Sequence, residues 1–171
     1  WATPPEDLPA VEESGESYLE NALIKARAIS EATAKPALAD DSGIEVDALG
    51  GRPGIHSARF AGPEATDAQN NAKLLSMLEG VPPEGRTARY RCVAVLVFPD
   101  GREIAGVGAC EGSIEFEPRG SGGFGYDPYF VPEGESQTMA ELTPERKNEI
   151  SHRGRALRGL ADQLRRELGE A

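Results

Sequence analysis

The amino-acid sequence predicts an α/β fold in which helices flank a central, twisted, mixed β-sheet. Helical and strand patterns are interleaved along the 171 residues, which is typical of this class. Residues 87–98, TARYRCVAVLVF, have the apolar, β-branched composition of a buried strand. Near the C-terminus, leucines recur at helical spacing through residues 157–168 and predict a long amphipathic helix. No internal repeat interrupts the pattern, so we expect one domain over residues 1–171.

The N-terminal part of the chain predicts a loop, a helix and a short strand. Residues 1–13 are rich in proline and glutamate and indicate the loop. The pattern Ser17-x-x-Glu20 is typical of a capping box, and we expect the helix it begins to end near Thr33. Residues 36–39 predict a short buried strand that ends at two aspartates.

The middle of the chain predicts a second helix and a β-meander. Thr66-x-x-Gln69 is a second capping pattern, and Gly80 ends the helix that it begins. The strong strand turns at residues 99–101, Pro-Asp-Gly, into a partner strand at 102–111. Three further features follow in order: a continuing strand at 112–117, a glycine-rich loop at 119–127, and a short helix that begins at Thr143-Pro144.

Composition excludes several classes of partner. The net charge of −11 argues against a nucleic-acid polymer, which needs a basic face. No apolar run approaches the roughly 20 residues of a membrane span, and the first ten residues lack the pattern of a signal peptide. Cys92 and Cys110 have no zinc-site spacing, and we expect free thiols in the cytoplasm. Acids dominate residues 1–50 and bases gather in 141–171, which suits either a metal beside an anion or two solvated surfaces.

Asp40 and Asp41 are the first candidate site. Adjacent residues of a strand point to opposite faces, so both carboxylates reach one site only at a strand end. Ser42-Gly43 is the turn signal that suggests such an end. Paired carboxylate oxygens suit Mg²⁺, which keeps several waters and shares a phosphate. The alternative is a polar loop in which one aspartate caps a turn.

Acidic and basic residues upstream extend this candidate site. One of several glutamates around Glu13 could complete a metal site, although acids also favour helix starts for electrostatic reasons alone. Lys25 lies on the first predicted helix. Its ammonium could bind phosphate as a point charge, or it could simply be solvated.

The glycine-rich loop is a candidate nucleotide-binding element. In residues 120–128, GSGGFGYDP, the glycines let backbone N–H groups approach an anion or a ring. Phe124 could stack on a base, or it could be buried in the core.

Lys147, His152 and Arg153 form the last candidate group. Lysine and arginine donate hydrogen bonds and accept none, so they favour a purine with a carbonyl at its six-position over one with an amino group there. The alternative is a set of surface cations at a helix start.

Four segments in this order resemble one enzyme family. ENALIKA at residues 20–26, LADDSGIEVDALGGRPGIHSARFAG at 38–62, GGFGYDPYFVP at 122–132 and AELTPERKNEISHRGRAL at 140–157 resemble the inosine triphosphate pyrophosphatase family, also called dITP/XTP pyrophosphatases. The resemblance covers nearly the whole chain. It implies an elongated, two-lobed domain with the active site in the cleft, hydrolysis of the deaminated purine nucleotides ITP, dITP and XTP to monophosphate and pyrophosphate, a homodimer, and one Mg²⁺ per subunit, with Mn²⁺ as a substitute.

The resemblance also implies roles for individual residues. Asp41 matches the family's proton acceptor and a magnesium ligand, and Asp40 and Glu13 match the acidic neighbours of the metal. The positions that match substrate contacts are Ser42, Lys25, Phe124, Gly125, Tyr126, Asp127, Lys147, His152 and Arg153. Lys25 is implied near the phosphates, the aromatic of the loop against the base, and the last three residues at the base edge.

The sequence departs from the family pattern at its start. Family members open with a strand and a Thr/Ser-x-Asn-x-x-Lys loop that holds the triphosphate, and these 171 residues contain no such loop. We therefore expect an N-terminally truncated domain. Two other classes stay open: a Nudix-type hydrolase, whose Arg-Glu-x-x-x-Glu-Glu helix is not found in the sequence, and a nucleotide-binding module without catalysis.

Overall fold

The structure is a computed structural model that describes residue 11 and residues 13–169. The predicted loop at residues 1–13 therefore lies almost entirely outside the described residues. Helices and strands are interleaved, as predicted. The helices are α1 (Tyr18–Thr33), α2 (Asp67–Met77), α3 (Pro144–Ile150) and α4 (His152–Glu167). The strands are β1 (Ala37–Val46), β2 (Thr87–Val97), β3 (Glu103–Ile114) and β4 (Phe130–Pro132).

The sheet within the described residues has the order β1-β2-β3-β4 and is antiparallel throughout. The predicted mixed sheet is wrong for this part of the chain. Alternating helices and strands suggested crossover connections, which make parallel pairs. Instead, Val46 at the end of β1 pairs with Ala88 at the start of β2. The long segment between these strands leaves and returns at the same end of the sheet, so the pair is antiparallel.

Strand β1 is longer than predicted. Residues 36–39 were expected to end at the two aspartates, but β1 continues through Ser42 and Gly43, which pair with Cys92 and Arg91 of β2. Gly43 is needed for packing and not for a turn, since a Cβ there would overlap the carbonyl oxygen of Gly54. The glycine that suggested a turn instead allows the backbone of Gly54 to lie against β1.

Helices cover the two faces of the sheet. On one face α1 packs Ala22 and Ala26 against Val95 and Val97 of β2. On the opposite face α4 packs Ala156 and Leu160 against a cluster from β2 and β3 that includes Cys92 and Ile104. Because β-strand side chains alternate, odd-numbered residues of β1 and β2 face α1 and even-numbered residues face α4.

Two glycines of β3 let α4 lie close to the sheet. A Cβ on Gly106 would overlap the backbone oxygen of Ala156, and one on Gly108 would overlap the backbone oxygen of His152. A residue with a side chain at either position would push the helix outward. The first turn of α4, which carries His152 and Arg153, thus owes its position to Gly108.

A third apolar cluster joins the far end of the sheet to α2 and the glycine-rich loop. Its fully buried members include Ile44, Leu74, Phe130 and Met139. A cavity lies beside this cluster, where the loop meets the sheet and the start of α4.

Side-chain caps define the helix starts. Thr66 and Gln69 make both bonds of the predicted capping box. Ser17 accepts from the backbone N–H of Glu20, but the Glu20 carboxylate accepts from Glu16 and not from Ser17. Within the described residues, no helix is both long and apolar enough to cross a bilayer.

Candidate active site

Asp40 and Asp41 point to opposite faces of the sheet. Both lie inside β1, where Asp41 faces α1 and Asp40 faces α4. The prediction that a strand end brings the two carboxylates to one site is wrong, because the strand does not end there. The pair instead contributes one carboxylate to each of two clusters on opposite sides of one strand.

Asp41 lies at the centre of the first cluster. Its side chain is buried, and its two oxygens accept from Asn21 Nδ2 at 3.2 Å and Lys25 Nζ at 3.4 Å. Desolvation by burial raises the pKa of Asp41 above its ordinary value, and the nearby Lys25 charge acts in the opposite direction. Asn21 and Lys25 are four residues apart, so both reach Asp41 from the same side of α1.

Glu13 joins this cluster through the same lysine. Lys25 Nζ lies 3.0 Å from Glu13 Oε1 as well as 3.4 Å from Asp41 Oδ1, so one ammonium is shared by two carboxylates. Arg59 Nη1 lies 3.8 Å from the other oxygen of Glu13. The cluster therefore alternates acids and cations, an arrangement that suits a metal and phosphates together.

The oxygen donors of this cluster fit a magnesium ion. Mg²⁺ commonly takes one or two carboxylates and completes its shell with water and substrate phosphates. Asp41 and Glu13 already converge on one cation, which is the charge pattern such an ion needs. No group of three or more His, Cys, Asp or Glu side chains in the described part of the chain is arranged to hold a metal. Asp40 does not join the pair.

The second cluster lies on the α4 face. Asp40 Oδ2 accepts from Arg153 Nε at 3.0 Å, and Nη2 of the same guanidinium lies 3.0 Å from this oxygen in an ion pair. The same oxygen accepts from the thiol of Cys92 at 3.6 Å. Arg153 belongs to the first turn of α4, so this ion pair connects the helix start directly to β1.

Asp127 holds the glycine-rich loop in place. Its buried carboxylate accepts from Tyr90 Oη at 3.1 Å, from the backbone N–H of Phe124 at 3.0 Å and from Lys147 Nζ at 2.5 Å. Gly123 has a positive φ of 78°, and a Cβ there would overlap the Asp127 carboxylate. The missing side chain of Gly123 leaves room for the Asp127 carboxylate, and the loop folds around this buried anion.

Phe124 lies at the surface of the loop and not in the core. Its side chain is 59% exposed, with Lys147 Nζ 5.2 Å and Arg153 Cζ 5.8 Å from the ring centroid. The burial alternative for this residue is therefore wrong. An exposed ring bordered by two cations has the chemistry to stack on an electron-rich heterocycle.

Tyr126 and Gly125 have anchoring roles. The hydroxyl of buried Tyr126 donates to the backbone oxygen of Ser57 at 2.8 Å. The Gly125 N–H donates to Asp67 Oδ2 at 2.6 Å, and its carbonyl accepts from Asn71 at 2.8 Å. These bonds tie the loop to α2 and to the segment before it.

His152 is buried at the start of α4. Its ring stacks on Tyr90 with centroids 4.7 Å apart and an interplanar angle of 10°. Burial, together with the positive charge of Arg153, lowers the pKa of His152 to about 4, so the ring is neutral near pH 7. Its Nδ1 has no hydrogen-bond partner among the described residues.

A small cavity lies between these elements. Its volume is about 180 Å³, and it is lined by Ser42, Tyr90, Phe124 and His152, among others. Small-molecule sites usually span roughly 300–1,000 Å³, so this cavity suits one ring system and not a whole nucleotide. Ser42 faces it from β1, one residue after Asp41. The rest of a nucleotide would have to extend past β1 toward Lys25 and Glu13.

The structure brings the predicted residues into two groups and adds others. On the α1 face lie Asp41, Glu13 and Lys25; on the α4 face lie Asp40, Ser42, Phe124, Gly125, Tyr126, Asp127, Lys147, His152 and Arg153. Sequence reasoning missed Asn21, Arg59 and Tyr90. Asn21 is four positions before Lys25, which is the one signal that could have paired them. Tyr90 looked like an ordinary strand residue.

Comparisons with known proteins show which family the chain resembles. A model of the Ham1 family matches residues 2–163. A dITP/XTP pyrophosphatase of Geobacillus kaustophilus is 54% identical over 164 residues, covering 95% of this chain and 80% of that protein. Another, from Desulforamulus reducens, is 56% identical over 156 residues, covering 91% and 78%.

Solved structures extend the likeness to three dimensions. The Ham1 protein of Staphylococcus aureus aligns with a TM-score of 0.86 at 42% identity, covering 92% of this chain and 81% of that one. A nucleoside-triphosphatase / dITP/XTP pyrophosphatase from Mycobacterium abscessus aligns with a TM-score of 0.77 at 49% identity, covering 94% and 82%. The resemblance found in the four motifs is confirmed, and the chain belongs to the Ham1 family.

Proposed function

We propose that this chain hydrolyses dITP, XTP and ITP to the nucleoside monophosphate and pyrophosphate, and so removes deaminated purines from the nucleotide pool. The observation that carries the proposal is the placement of two clusters on β1. The acidic cluster around Asp41 suits a metal and phosphates, and the cavity reached from Ser42 suits a base. The names of the Geobacillus and Desulforamulus relatives support the substrate class.

The proposed metal is Mg²⁺, one per subunit, and Mn²⁺ would accept the same oxygen ligands. Asp41 and Glu13 would hold it, because their carboxylates already share one cation. When bound, such an ion would neutralise part of the phosphate charge and lower the pKa of a water molecule bound to it. Asp40 is left out of this metal site because it faces the other side of the sheet.

Asp41 acts as the proton acceptor in this proposal. Water attacks the α-phosphorus, Asp41 takes the proton, and the bond between the α-phosphorus and the oxygen bridging to the β-phosphate breaks. Burial raises the pKa of Asp41, which makes its carboxylate a stronger base. Asn21 holds one Asp41 oxygen, which orients the other. Lys25 and Arg59 stabilise the charge that develops on the leaving pyrophosphate.

Residues on the α4 face of the sheet recognise the base in this proposal. Phe124 offers a ring for stacking, and Lys147 and Arg153 next to it can only donate hydrogen bonds. Hypoxanthine and xanthine present a carbonyl at the six-position, which suits these donors. Adenine presents an amino group there and would leave donors facing donors. Buried His152 is neutral and can donate from one nitrogen while the other accepts.

A homodimer and a cytoplasmic location complete the proposal, and both rest on the family resemblance. Light scattering on the purified protein tests the first: a mass of twice the monomer supports it, and a monomer at micromolar concentration contradicts it.

The test of the activity is pyrophosphate release from dITP, XTP, ITP, dATP and dGTP, with Mg²⁺ and with chelator. It uses the full polypeptide that carries these 171 residues. Metal-dependent release from the first three, with dATP nearly untouched, supports the proposal. Guanine has the same six-position carbonyl, so the rate with dGTP shows whether the two-position of the ring is read as well. Equal rates on all five would show that the α4 face does not read the base. Binding of dITP without turnover would indicate a nucleotide-binding module.

A further inference from the structure

We infer that Asp40 is a positioning residue for base selection, which holds the guanidinium of Arg153 beside Phe124, and that it has no part in binding metal. The inference rests on the proposed function, because it assigns Arg153 to the base. It separates the roles of two adjacent aspartates that the sequence alone groups together.

The contacts of Asp40 all lie on the α4 face. One oxygen accepts from Arg153 Nε at 3.0 Å and from the Cys92 thiol at 3.6 Å, and Arg153 Nη2 lies 3.0 Å from it in an ion pair. Burial raises the pKa of Cys92 to about 12, with the Asp40 charge adding to the effect, so Cys92 stays a thiol that donates. An oxygen already paired with the Arg153 guanidinium and bonded to a thiol is a poor candidate for a metal ligand.

The geometry of β1 also separates Asp40 from the proposed metal site. Asp40 pairs across the sheet with Ala94 and Asp41 with Val93, so the two side chains leave the strand in opposite directions. The carboxylate that meets Lys25, and through it Glu13, is Asp41. Asp40 would have to cross its own strand to reach that cluster.

Arg153 needs such a partner. Its side chain is 44% exposed, and a long exposed arginine samples many rotamers unless something fixes it. Besides Asp40, it lies near the Phe124 ring, at 5.8 Å. Fixing the guanidinium between a carboxylate and an aromatic ring sets the direction of its remaining N–H donors. Those donors are what a six-position carbonyl would meet.

The experiment is a double-mutant cycle with Asp40→Ala, Arg153→Ala and the double variant. The readout is the ratio of kcat/KM for dITP to that for dATP, and the concentration of Mg²⁺ that gives half-maximal rate. We expect each single variant to lower the dITP/dATP ratio about tenfold. The double variant should be no lower than either single one, because both changes remove one interaction.

One further variant and one binding measurement complete the cycle. Asp40→Asn keeps an acceptor for Arg153 and Cys92, so it should retain more of the ratio than Asp40→Ala and serves if the alanine variant unfolds. The Mg²⁺ requirement should not change in either variant. Calorimetric binding of IMP and AMP should show the same non-additive loss of selectivity without turnover.

Two results would overturn the inference. One is a Mg²⁺ requirement raised about tenfold by Asp40→Asn, as expected of a metal ligand. The other is a double variant whose loss equals the product of the two single losses, as expected of independent residues. A parent protein that turns over none of the deaminated nucleotides would instead contradict the proposed function, and the IMP and AMP cycle would still decide the role of Asp40.

Discussion

The ammonium of Lys147 lies 2.5 Å from the buried carboxylate of Asp127 and joins α3 to the glycine-rich loop. The lysine side chain is half-buried against the loop. Two other donors, Tyr90 and the Phe124 N–H, meet the same carboxylate. The structure therefore gives Lys147 a loop-ordering role in addition to the base contact proposed for it.

Replacing Lys147 with Met should destabilise the protein and weaken nucleotide binding. Loss of a charged hydrogen bond to a buried carboxylate costs about 2 kcal/mol. Urea unfolding measures the stability change, and calorimetry with IMP measures the affinity. The matched control is Lys35→Met, at an exposed position outside the site, which should change neither. Unchanged stability of Lys147→Met would show that the pair adds nothing to the fold.

Asp41→Asn should abolish turnover while the fold is retained. Asparagine is nearly isosteric but cannot take a proton, and loss of a general base lowers kcat by roughly 100- to 10,000-fold. Steady-state kinetics with dITP measures the effect, and thermal unfolding checks the fold. Asp162→Asn, at an exposed Asp on α4, is the control and should be fully active. A kcat within a factor of a few of the parent would remove Asp41 from the role of base.

Arg59→Gln tests the cation that sequence reasoning missed. Because Arg59 lies 3.8 Å from Glu13 in the acidic cluster, its loss should weaken interaction with the phosphates. We expect kcat/KM for dITP to fall about tenfold or more, with IMP affinity little changed. Arg27→Gln, whose arginine pairs with Glu103 on an exposed surface, should have no effect on either quantity. An equal loss of IMP and dITP affinity would place Arg59 elsewhere in the mechanism.

The buried His152 should make the fold sensitive to acid. Its pKa is about 4 in the folded protein, against 6.5 for an ordinary histidine. The unfolded chain binds the proton first as pH falls, so stability is fully present above pH 6.5 and decreases down to about pH 4. Over that window the free energy of unfolding should fall by about 3 kcal/mol.

Urea unfolding at several pH values measures this slope. In His152→Gln the contribution of this histidine should disappear, leaving a shallower dependence between pH 6.5 and 4. The other histidine in the sequence, His56, is exposed, and His56→Gln should keep the parent slope. Identical slopes in the parent and His152→Gln would contradict the burial of a neutral ring.

Gly108→Ala should displace the first turn of α4. The added methyl would overlap the backbone oxygen of His152, and overpacking of this kind costs about 1–3 kcal/mol. Because His152 and Arg153 move with the helix, the preference for dITP over dATP should also fall. Gly159→Ala is the matched control: it lies on α4 in open space, and alanine there should stabilise by about 0.5–1 kcal/mol. A Gly108→Ala protein as stable as the parent would contradict the close packing.

Local features of this fold could be predicted from the sequence. The capping box at Thr66 depends on residues three apart, and it forms as expected. The predicted turn at residues 99–101 joins the two strands that flank it. Each of these depends on neighbours in the chain or on strand alternation, which a sequence displays directly.

The division of the site could not be predicted, because it depends on contacts between distant residues. From the sequence, Gly43 indicates a turn. In the structure it lies inside β1, which continues past the aspartates, and the reason for a glycine there is the contact with Gly54, 11 residues away. The opposite facing of Asp40 and Asp41 follows from that continuation. Arg59 likewise meets Glu13 only through tertiary packing.

The products formed from dITP in water labelled with oxygen-18 show which phosphorus atom the water attacks. Attack at the α-phosphorus should give dIMP and pyrophosphate in equal amounts, Mg²⁺-dependent, with the label in dIMP. Asp41→Asn should form neither product at a comparable rate. Release of dIDP and labelled inorganic phosphate would place the attack at the γ-phosphorus and contradict pyrophosphate release as the reaction of this site.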